Sequence, residues 1–599
     1  MEYRAPLREL RFVRDELLDF PALWQTLPGC EQITPELITA IYEAMAKFCE
    51  EELAPLNRTG DEEGCTWTPA GVQTPAGFRD AYQKYIDGGW PSLTGPVDYG
   101  GQGLPPSLES VLNEIVGSAN WSWSMYPFLS KGGRYTLTVH GDAALKDAYL
   151  PKLVAGQWTA TMCLTEAHCG TDLGMLRTRA EPVGDGAYHI TGSKIFISSG
   201  EHDLADNICH IVLARLPDAP PGTQGISLFL VPKRLPGADG EAGAANGVSC
   251  GSIEHKMGIH GNATCVINFD RAVGHLLGAP NRGLQAMFTF MNTARIGTAM
   301  QGVVNAELAL QGAVPYARER LQMRSPTGPK NPTGPADPII VHPDVRRMLL
   351  TIKAFAEGTR MLIQSLAYQI DIAQLASDAD ARAEAEDLLA LLTPIAKGFC
   401  TEVGFESASL GVQVFGGHGY IREWGMEQNL RDARIAMIYE GTNGIQAIDL
   451  LGRKVLGTQG KLLGRYIARV RAYTEGERAR SEMAEFITPL EELLAEWQQI
   501  TRDIGVKAAA NPEEIGAASF DYLMYAGYIA LAYLWARAAG TAFACLRAGG
   551  DERDFYEGKL QTARFYYQKL LPRTRALVAT MKTGAEPLMA MDEDRFMSS

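Results

Sequence analysis

Arg431-Asp-Ala-Arg-Ile-Ala-Met-Ile-Tyr-Glu-Gly-Thr-Asn-Gly-Ile-Gln446 is the stretch around which the 599-residue chain is read. An apolar run, Ile435 to Tyr439, ends abruptly in a carboxylate, Glu440. Gly441, Thr442 and Gly444 follow, and a helical pattern resumes through Ile445, Ile448, Leu450, Leu451 and Val455. A carboxylate at the lip of an apolar wall, just before a glycine turn, is a candidate catalytic base, because desolvation raises a carboxylate's proton affinity. The same residues also read as a helix-flanking glutamate favoured by the dipole at a helix N-terminus. Taken alone, the stretch leaves both readings open.

Working outward, bulk properties narrow the choice. Hydrophobic residues make up 46% and charged residues 21%, which suits a soluble globular chain with large cores. The net charge of −15 argues against a nucleic-acid binder, while leaving room for a local basic pocket. Ten cysteines occur without a CxxC pair, and ten histidines without HExxH spacing, so free thiols in a reducing cytoplasm and no metal are expected. The N-terminus mixes acids with apolar residues (Glu2, Glu9, Asp15, Glu16, Asp19), unlike a signal or transit peptide. Between Asp521 and Arg537 lie 15 uncharged residues, short of the roughly 20 needed to span a bilayer, so no integral membrane segment is expected.

Periodicity divides the chain into four expected regions. Residues 1–158 read as helices, interrupted by a turn at Tyr99-Gly-Gly-Gln-Gly-Leu-Pro-Pro106. Residues 159–278 read as an antiparallel sheet or barrel, with strands at 188–198, 208–214, 226–231 and 264–269 and a surface loop at 235–247. Residues 279–456 return to long helices of a bundle, broken by the proline-rich loop 325–338. Residues 457–599 read as additional helices, including 519–547 and 554–581.

No GxxxxGK[ST] is present, and Gly417-His-Gly419 has only the first spacing of a dinucleotide-binding loop, so any nucleotide cofactor is held outside a P-loop or Rossmann unit. Leu164-Thr165 and Phe196-Ile-Ser198 offer backbone donors, hydroxyls and an aromatic face; they are also ordinary strand residues. Arg320, at the end of a helix, equally suits the helix dipole.

Five stretches occur in order: Met162-Cys-Leu-Thr-Glu-Ala-His-Cys-Gly-Thr-Asp172, Lys194-Ile-Phe-Ile-Ser198, Arg318-Glu-Arg320, Gln413-Val-Phe-Gly-Gly417 and the Glu440 stretch. Together they resemble the acyl-CoA dehydrogenase family over about residues 99–454, and the length resembles its long subgroup, which includes 3-methylmercaptopropionyl-CoA and some fatty acyl-CoA dehydrogenases. The resemblance implies an α+β fold: an N-terminal helical domain, a central antiparallel β-barrel-like domain, a C-terminal four-helix bundle and an extra C-terminal helical domain. It implies FAD as cofactor. Leu164, Thr165, Gly170 and Thr171 would meet the flavin and pyrophosphate, Phe196 would pack on the ring, and Ser198 would sit near N5. Arg320 would reach the pyrophosphate, Gln413, Gly416 and Gly417 the FAD of a neighbouring subunit, and Thr442 the cofactor. Thr171, Arg295, Tyr439 and Gly441 would contact acyl-CoA. Phe196 and Ser198 stand where many relatives carry Trp and Thr, Gly444 where they often carry Gln, and Asn292 where they often carry Asp.

The implied reaction removes the α-proton of an acyl-CoA thioester with Glu440 and passes the β-hydrogen as hydride to flavin N5, giving a trans-2-enoyl-CoA. The stretch Met291-Asn-Thr-Ala-Arg295, where some relatives place their base, holds no carboxylate. An electron-transfer flavoprotein as acceptor and a homodimer are further implications. An acyl-CoA oxidase and a DNA-associated flavoprotein that does not dehydrogenate are the alternative readings; the acidic charge weighs against the second.

Overall fold

Helices make up most of the chain, and the strands are gathered in one part of it. In the computed structural model, which describes residues 2–597, Glu43–Gly297 form one unit, and residues 2–42 with 298–597 form a second.

The first unit holds the strands, eleven among the described residues: β1 (Thr66–Thr68), β2 (Gly71–Gln73), β3 (Trp158–Cys163), β4 (Arg179–Gly184), β5 (Ala187–Ser198), β6 (Asn207–Arg215), β7 (Ile226–Pro232), β8 (Arg234–Pro236), β9 (Ala242–Ala245), β10 (Val248–Ile253) and β11 (Thr264–Leu277). Seven of them make one sheet in the order β10-β11-β5-β4-β6-β3, and β7 pairs with both β11 and β6. The path β11-β5-β4-β6-β7 therefore closes on itself, which gives the barrel-like form. Pairing is antiparallel except between β3 and β6 and at one β4–β6 bridge, which are parallel. The connection from β3 to β6, itself containing β4 and β5, supplies the long crossover that a parallel pair requires.

Alternation along β6 and β7 gives the barrel two faces. Cys209, Ile211, Leu213, Leu228 and Leu230 join a core with the helical residues Leu129, Leu137, Leu150 and Phe290. Val212, Ala214, Phe229 and Val231 join a second core with Ala180, Ile190 and Ala272. The stretch 235–247, expected as a plain loop, carries the β8–β9 pair, with Arg234 opposite Ala245 and Pro236 opposite Ala242. Its glycines and alanines have weak strand propensity, so the pairing left no alternation to read.

The second unit is helical. The helix Gly283–Glu319 starts in the first unit and ends in this one. Pro343–Leu375 and Ala379–Phe415 follow, then Met426–Arg434, and finally Lys461–Glu477, Ala484–Ala510, Glu513–Ala548, Arg553–Phe565 and Thr574–Thr583. The last two were expected as one helix; a wide turn at Tyr566–Leu570 and a tight turn at Leu571–Arg573 separate them. Pro572, which lacks an N–H, sits in that break. Two helices, Ala379–Tyr420 and Glu513–Ala548, have the length and composition to cross a membrane, but 78% and 67% of their apolar windows are buried within the protein, as in core helices.

Buried charge ties the first residues of the chain to this unit. Lys559, 2% exposed, lies 2.8 Å from Glu357 and also pairs with Glu9. Glu357 pairs in turn with Lys353. Trp24 Nε1 donates to Asp371 at 3.0 Å. Burial disfavours the Glu357 carboxylate, but Lys353 and Lys559 hold its pKa down to about 2. Its stabilising effect is therefore full above the unfolded value and disappears as pH falls through about 2. Lys559→Met removes one partner from a buried charge, which costs about 3–5 kcal/mol. The expected result is a clearly lowered melting temperature at neutral pH, with the gap to the wild type narrowing as the pH is taken down through the carboxylate range. Equal melting at neutral pH would show that the pair does not hold these segments together.

Candidate active site

In the first unit, the expected cofactor residues converge through a buried lysine. Lys194 in β5 is fully buried, and its Nζ donates to Leu164 O at 2.9 Å and to Glu166 Oε1 at 2.8 Å. Ile195 N–H donates to Thr165 O at 2.9 Å. Glu166 also accepts from the Thr178 hydroxyl and from the N–H groups of Arg177 and Thr178. Burial works against this carboxylate, yet Lys194 and these donors hold its pKa down to about 2. The carbonyls of residues 164 and 165 are thus engaged by β5, and among the described residues the Thr165 hydroxyl has no hydrogen-bond partner. Gly170 lies against Thr165: a Cβ built on it would be 3.6 Å from Thr165 Cγ2. Thr171 is exposed.

Phe196 shows why the sequence pattern alone misjudges this strand. Between the pairs Ile267–Lys194 and Cys265–Ile197 the register shifts, so two β5 residues face one of β11. Phe196 sits in this bulge with φ 58°, a conformation that a bulky side chain rarely adopts. The bulge turns its ring outward, 59% exposed, beside half-buried Ser198.

In the second unit, Glu440 has φ 58° and Gly441 φ 83°, two left-handed residues in succession. Gln446 Nε2 donates to Glu440 O at 3.1 Å. Lys397, fully buried in the helix Ala379–Phe415, donates to Gly441 O at 2.8 Å and to Asn443 Oδ1 at 2.9 Å. Asn443 Nδ2 reaches Thr401 at 3.0 Å and Glu402 at 2.8 Å, and burial pushes the Glu402 carboxyl up despite that bond. Thr442 caps the helix Asn443–Ile448 by accepting from Ile445 N–H at 3.3 Å. The Tyr439 hydroxyl donates to Gln301. Both open readings of Glu440 thus find a counterpart: it precedes a helix, but Thr442 is the cap, and Glu440 occupies a separately braced turn.

Arg320 follows the end of its helix, exposed. Its guanidinium has no ion-pair partner among the described residues. The proline-rich loop after it is ordered by Asp337, whose buried carboxylate accepts from the N–H groups of Ser325, Lys330 and Asn331 at 2.7–2.8 Å and from Arg324. Asp337 was not singled out in the sequence; an acid closing a Pro/Gly stretch was its one cue. Tyr316, one turn before Arg320, donates to Phe415 O and stacks on the Phe415 ring at 4.1 Å. This brings the helix end bearing Arg320 to the loop of Gln413, Gly416 and Gly417, all three exposed. Arg295 belongs to the first unit, with Asn292 3.4 Å away and the Phe288 ring 5.7 Å away. The sequence also gave no role to Lys397, although a lone lysine in the apolar run 391–400 is the pattern a buried cation leaves.

Glu166, His168 and Cys169 place their ligand atoms within 4.8 Å of one another. Both oxygens of Glu166 are already committed to Lys194, Thr178 and backbone donors, so the cluster reads as a brace rather than a metal site. The donor set does fit FAD. Taken each by itself, the first unit offers an unpartnered hydroxyl at Thr165 and an outward aromatic ring at Phe196, which suit a flat heteroaromatic ring, and the second offers an unpaired guanidinium at Arg320, which suits a pyrophosphate.

Comparison with known proteins identifies the domains. Models of the N-terminal, middle and C-terminal domains of acyl-CoA dehydrogenases match residues 35–157, 161–272 and 281–456, and an acetyl-CoA dehydrogenase C-terminal-like model matches residues 466–592. The chain is 42% identical to the 3-methylmercaptopropionyl-CoA dehydrogenase of Ruegeria pomeroyi, over 95% of this chain and 96% of that one. It is 32% identical to a butyryl-CoA dehydrogenase of Syntrophomonas wolfei, over 99% of each. Among solved structures, Caenorhabditis elegans ACDH-11 in complex with C11-CoA shares the fold with a TM-score of 0.78 at 20% identity, over 100% of this chain and 96% of that one.

The bracing of the Glu440 turn is testable. A Cβ on Gly441 would meet Gln446 Nε2 at 2.7 Å with φ at +83°, and Lys397→Met leaves Gly441 O without its ammonium donor. Gly441→Ala and Lys397→Met should both displace the turn while the protein still folds. A misplacement near 1 Å costs on the order of 100-fold in rate, so the rate of acyl-CoA oxidation should fall by about that factor in variants whose circular dichroism matches the wild type. Wild-type rates in both variants would show that the turn is positioned by other means.

Proposed function

The chain belongs to the acyl-CoA dehydrogenase family and is an oxidoreductase acting on the CH–CH group of acyl-CoA thioesters; from this premise we propose that it binds FAD and uses Glu440 as its base. The observation that carries the reading is the Glu440 turn: a carboxylate in a left-handed conformation, braced by Lys397 and Gln446. A rare backbone conformation held from two sides points to a residue that must be aimed.

In this reading Glu440 takes the α-proton of the thioester, and its backbone N–H helps to stabilise the developing enolate oxygen. The bound flavin supplies the hydride acceptor for the β-hydrogen. Leu164, Thr165, Gly170, Thr171, Phe196 and Ser198 hold the ring and its first phosphates, with Phe196 as the apolar wall. Arg320 neutralises pyrophosphate charge, and Thr442 contacts the cofactor. Tyr439, Gly441, Thr171 and Arg295 contribute to binding acyl-CoA. We take the substrate to be a fatty acyl-CoA or 3-methylmercaptopropionyl-CoA type thioester, in view of the Ruegeria relative. An electron-transfer flavoprotein is the proposed acceptor. The proposed homodimer draws on Gln413, Gly416 and Gly417, which lie beside the exposed apolar residues Tyr420 and Ile421.

Glu440→Gln preserves size and removes the proton acceptor. The variant should remain yellow, bind acyl-CoA with a perturbed flavin spectrum, and bleach at least 10²- to 10⁴-fold more slowly in single-turnover mixing, roughly 3–5 kcal/mol of barrier. The wild type, tested on saturated and thioether acyl-CoAs of graded length, should reduce an artificial acceptor without matching peroxide release. Bleaching of the variant at the wild-type rate would remove Glu440 from the mechanism.

Arg320→Ala should lower FAD occupancy in the purified protein, since it deletes a charge-assisted contact. Light scattering of the loaded wild type should give twice the 65.2 kDa chain mass. Full occupancy in the variant, or a monomer at assay concentration, counts against these assignments.

A further inference from the structure

Within the helical unit, away from the Glu440 turn in sequence and in the residues that line it, lies a partly open cavity of about 110 Å³. Its wall is apolar on one side, formed by Leu362, Leu388 and Leu392, all buried. Three polar residues also line it and are nearly fully buried: Tyr466 at 3% exposure, Gln369 at 6% and Tyr533 at 8%. Among the described residues, none of these three side chains has a hydrogen-bond partner. Their polar atoms are not among the sealed-off ones: they open onto the cavity and are free to bond an occupant there.

Two cations line the same cavity. Arg537 donates one bond, to Leu17 O at 2.6 Å, and stands 5.8 Å from the Tyr533 ring. Arg469 is 39% exposed, with Glu384 3.7 Å away, beyond hydrogen-bond distance. Most of both guanidinium forks is therefore open to an anion, and a planar carboxylate is the group such forks match best. None of the lining residues takes part in the reaction proposed above.

We propose that this cavity binds a short-chain carboxylate, its carboxylate between Arg469 and Arg537 and its alkyl chain against Leu362, Leu388 and Leu392. An engineered cavity of about 150 Å³ holds a benzene molecule, so the space here suits a chain of roughly four to six carbons. The Tyr466 and Tyr533 hydroxyls and the Gln369 amide complete the polar end. Leu18, from the first residues of the chain, also lines the cavity. A ligand there touches the N-terminal segment, two bundle helices and two helices of the C-terminal block at once, and so stabilises their packing by mass action.

Titration calorimetry of the flavin-loaded protein with butanoate and hexanoate tests the site, with hexan-1-ol as the neutral control and tetradecanoate as the oversized one. The expected result is one saturable site for the short carboxylates that survives saturation of the protein with an acyl-CoA, together with a raised melting temperature. Arg469→Gln should weaken hexanoate binding about tenfold or more, as loss of a charged hydrogen bond does. Leu392→Phe, which fills the cavity without touching its charges, should abolish it. The proposal is overturned if hexan-1-ol binds as tightly as hexanoate, if acyl-CoA displaces hexanoate, if neither variant changes binding, or if no short carboxylate binds. Arg469 is partly exposed and only loosely paired, so Arg469→Gln should fold, and Leu392→Phe gives an independent reading.

Discussion

An ammonium group buried in a protein must find acceptors, because desolvation without them costs several kcal/mol. Lys194 and Lys397 are both fully buried, one in each unit, and meet this constraint in the same way. Each donates to one backbone carbonyl and one side-chain oxygen of a segment distant in sequence: Leu164 O and Glu166 for Lys194, Gly441 O and Asn443 for Lys397. Both segments are those that the family resemblance marks for chemistry. A neutral side chain at either position would leave a carbonyl unsatisfied and the loop free to choose another path. The buried cation therefore serves as a fixed point from which a loop is measured.

The fixed points matter because a strained residue lies beside each, Phe196 two residues from Lys194 in β5 and Glu440 next to Gly441. Phe196 and Glu440 share nearly the same left-handed φ, 58° in both. Such conformations cost on the order of 1–3 kcal/mol each and persist only where surrounding bonds over-determine them. At Phe196 the determining contacts are the ladder on either side of the bulge and the Ile195–Thr165 bond. At Glu440 they are Gln446, Lys397 and the capped helix after Thr442. In each case the strain turns one side chain away from the direction that regular structure would give it.

The same strain explains where reading the sequence succeeded and where it stopped. The four longest strands were legible as β-branched, apolar runs bounded by Gly, Pro and Asp loops, and the long bundle helices by their 3.6-residue period. The order of five motifs carried the fold, since each was placed against the others along the chain. The bulge at Phe196 was not legible: it is a property of register with β11, some 70 residues downstream, and Lys194-Ile-Phe-Ile-Ser198 read alone is an ordinary β-branched strand segment. Asp337 and Lys397 were missed for a similar reason. Their partners lie 6–13 and 44–46 residues away, and a single charged residue carries no period.

The C-terminal helices, which fall outside the motif-bearing part of the chain, bear on the same turn. The helix Glu513–Ala548 packs against Ala379–Phe415 so closely that a Cβ on Gly398 would lie 2.7 Å from Leu523 Cδ1, and one on Gly527 would lie 2.2 Å from Phe399 Cγ. These contacts adjoin Lys397 in sequence. A six-residue helix such as Asn443–Ile448 has no stability of its own in water. It is held by Asn443 against the helix that carries Lys397, and that helix is backed by Glu513–Ala548 at a close spacing that only glycine at 398 and 527 permits. The added block is thereby part of the support for the Glu440 turn: the rigidity of that turn is set by the packing of helices that contribute no residue to it.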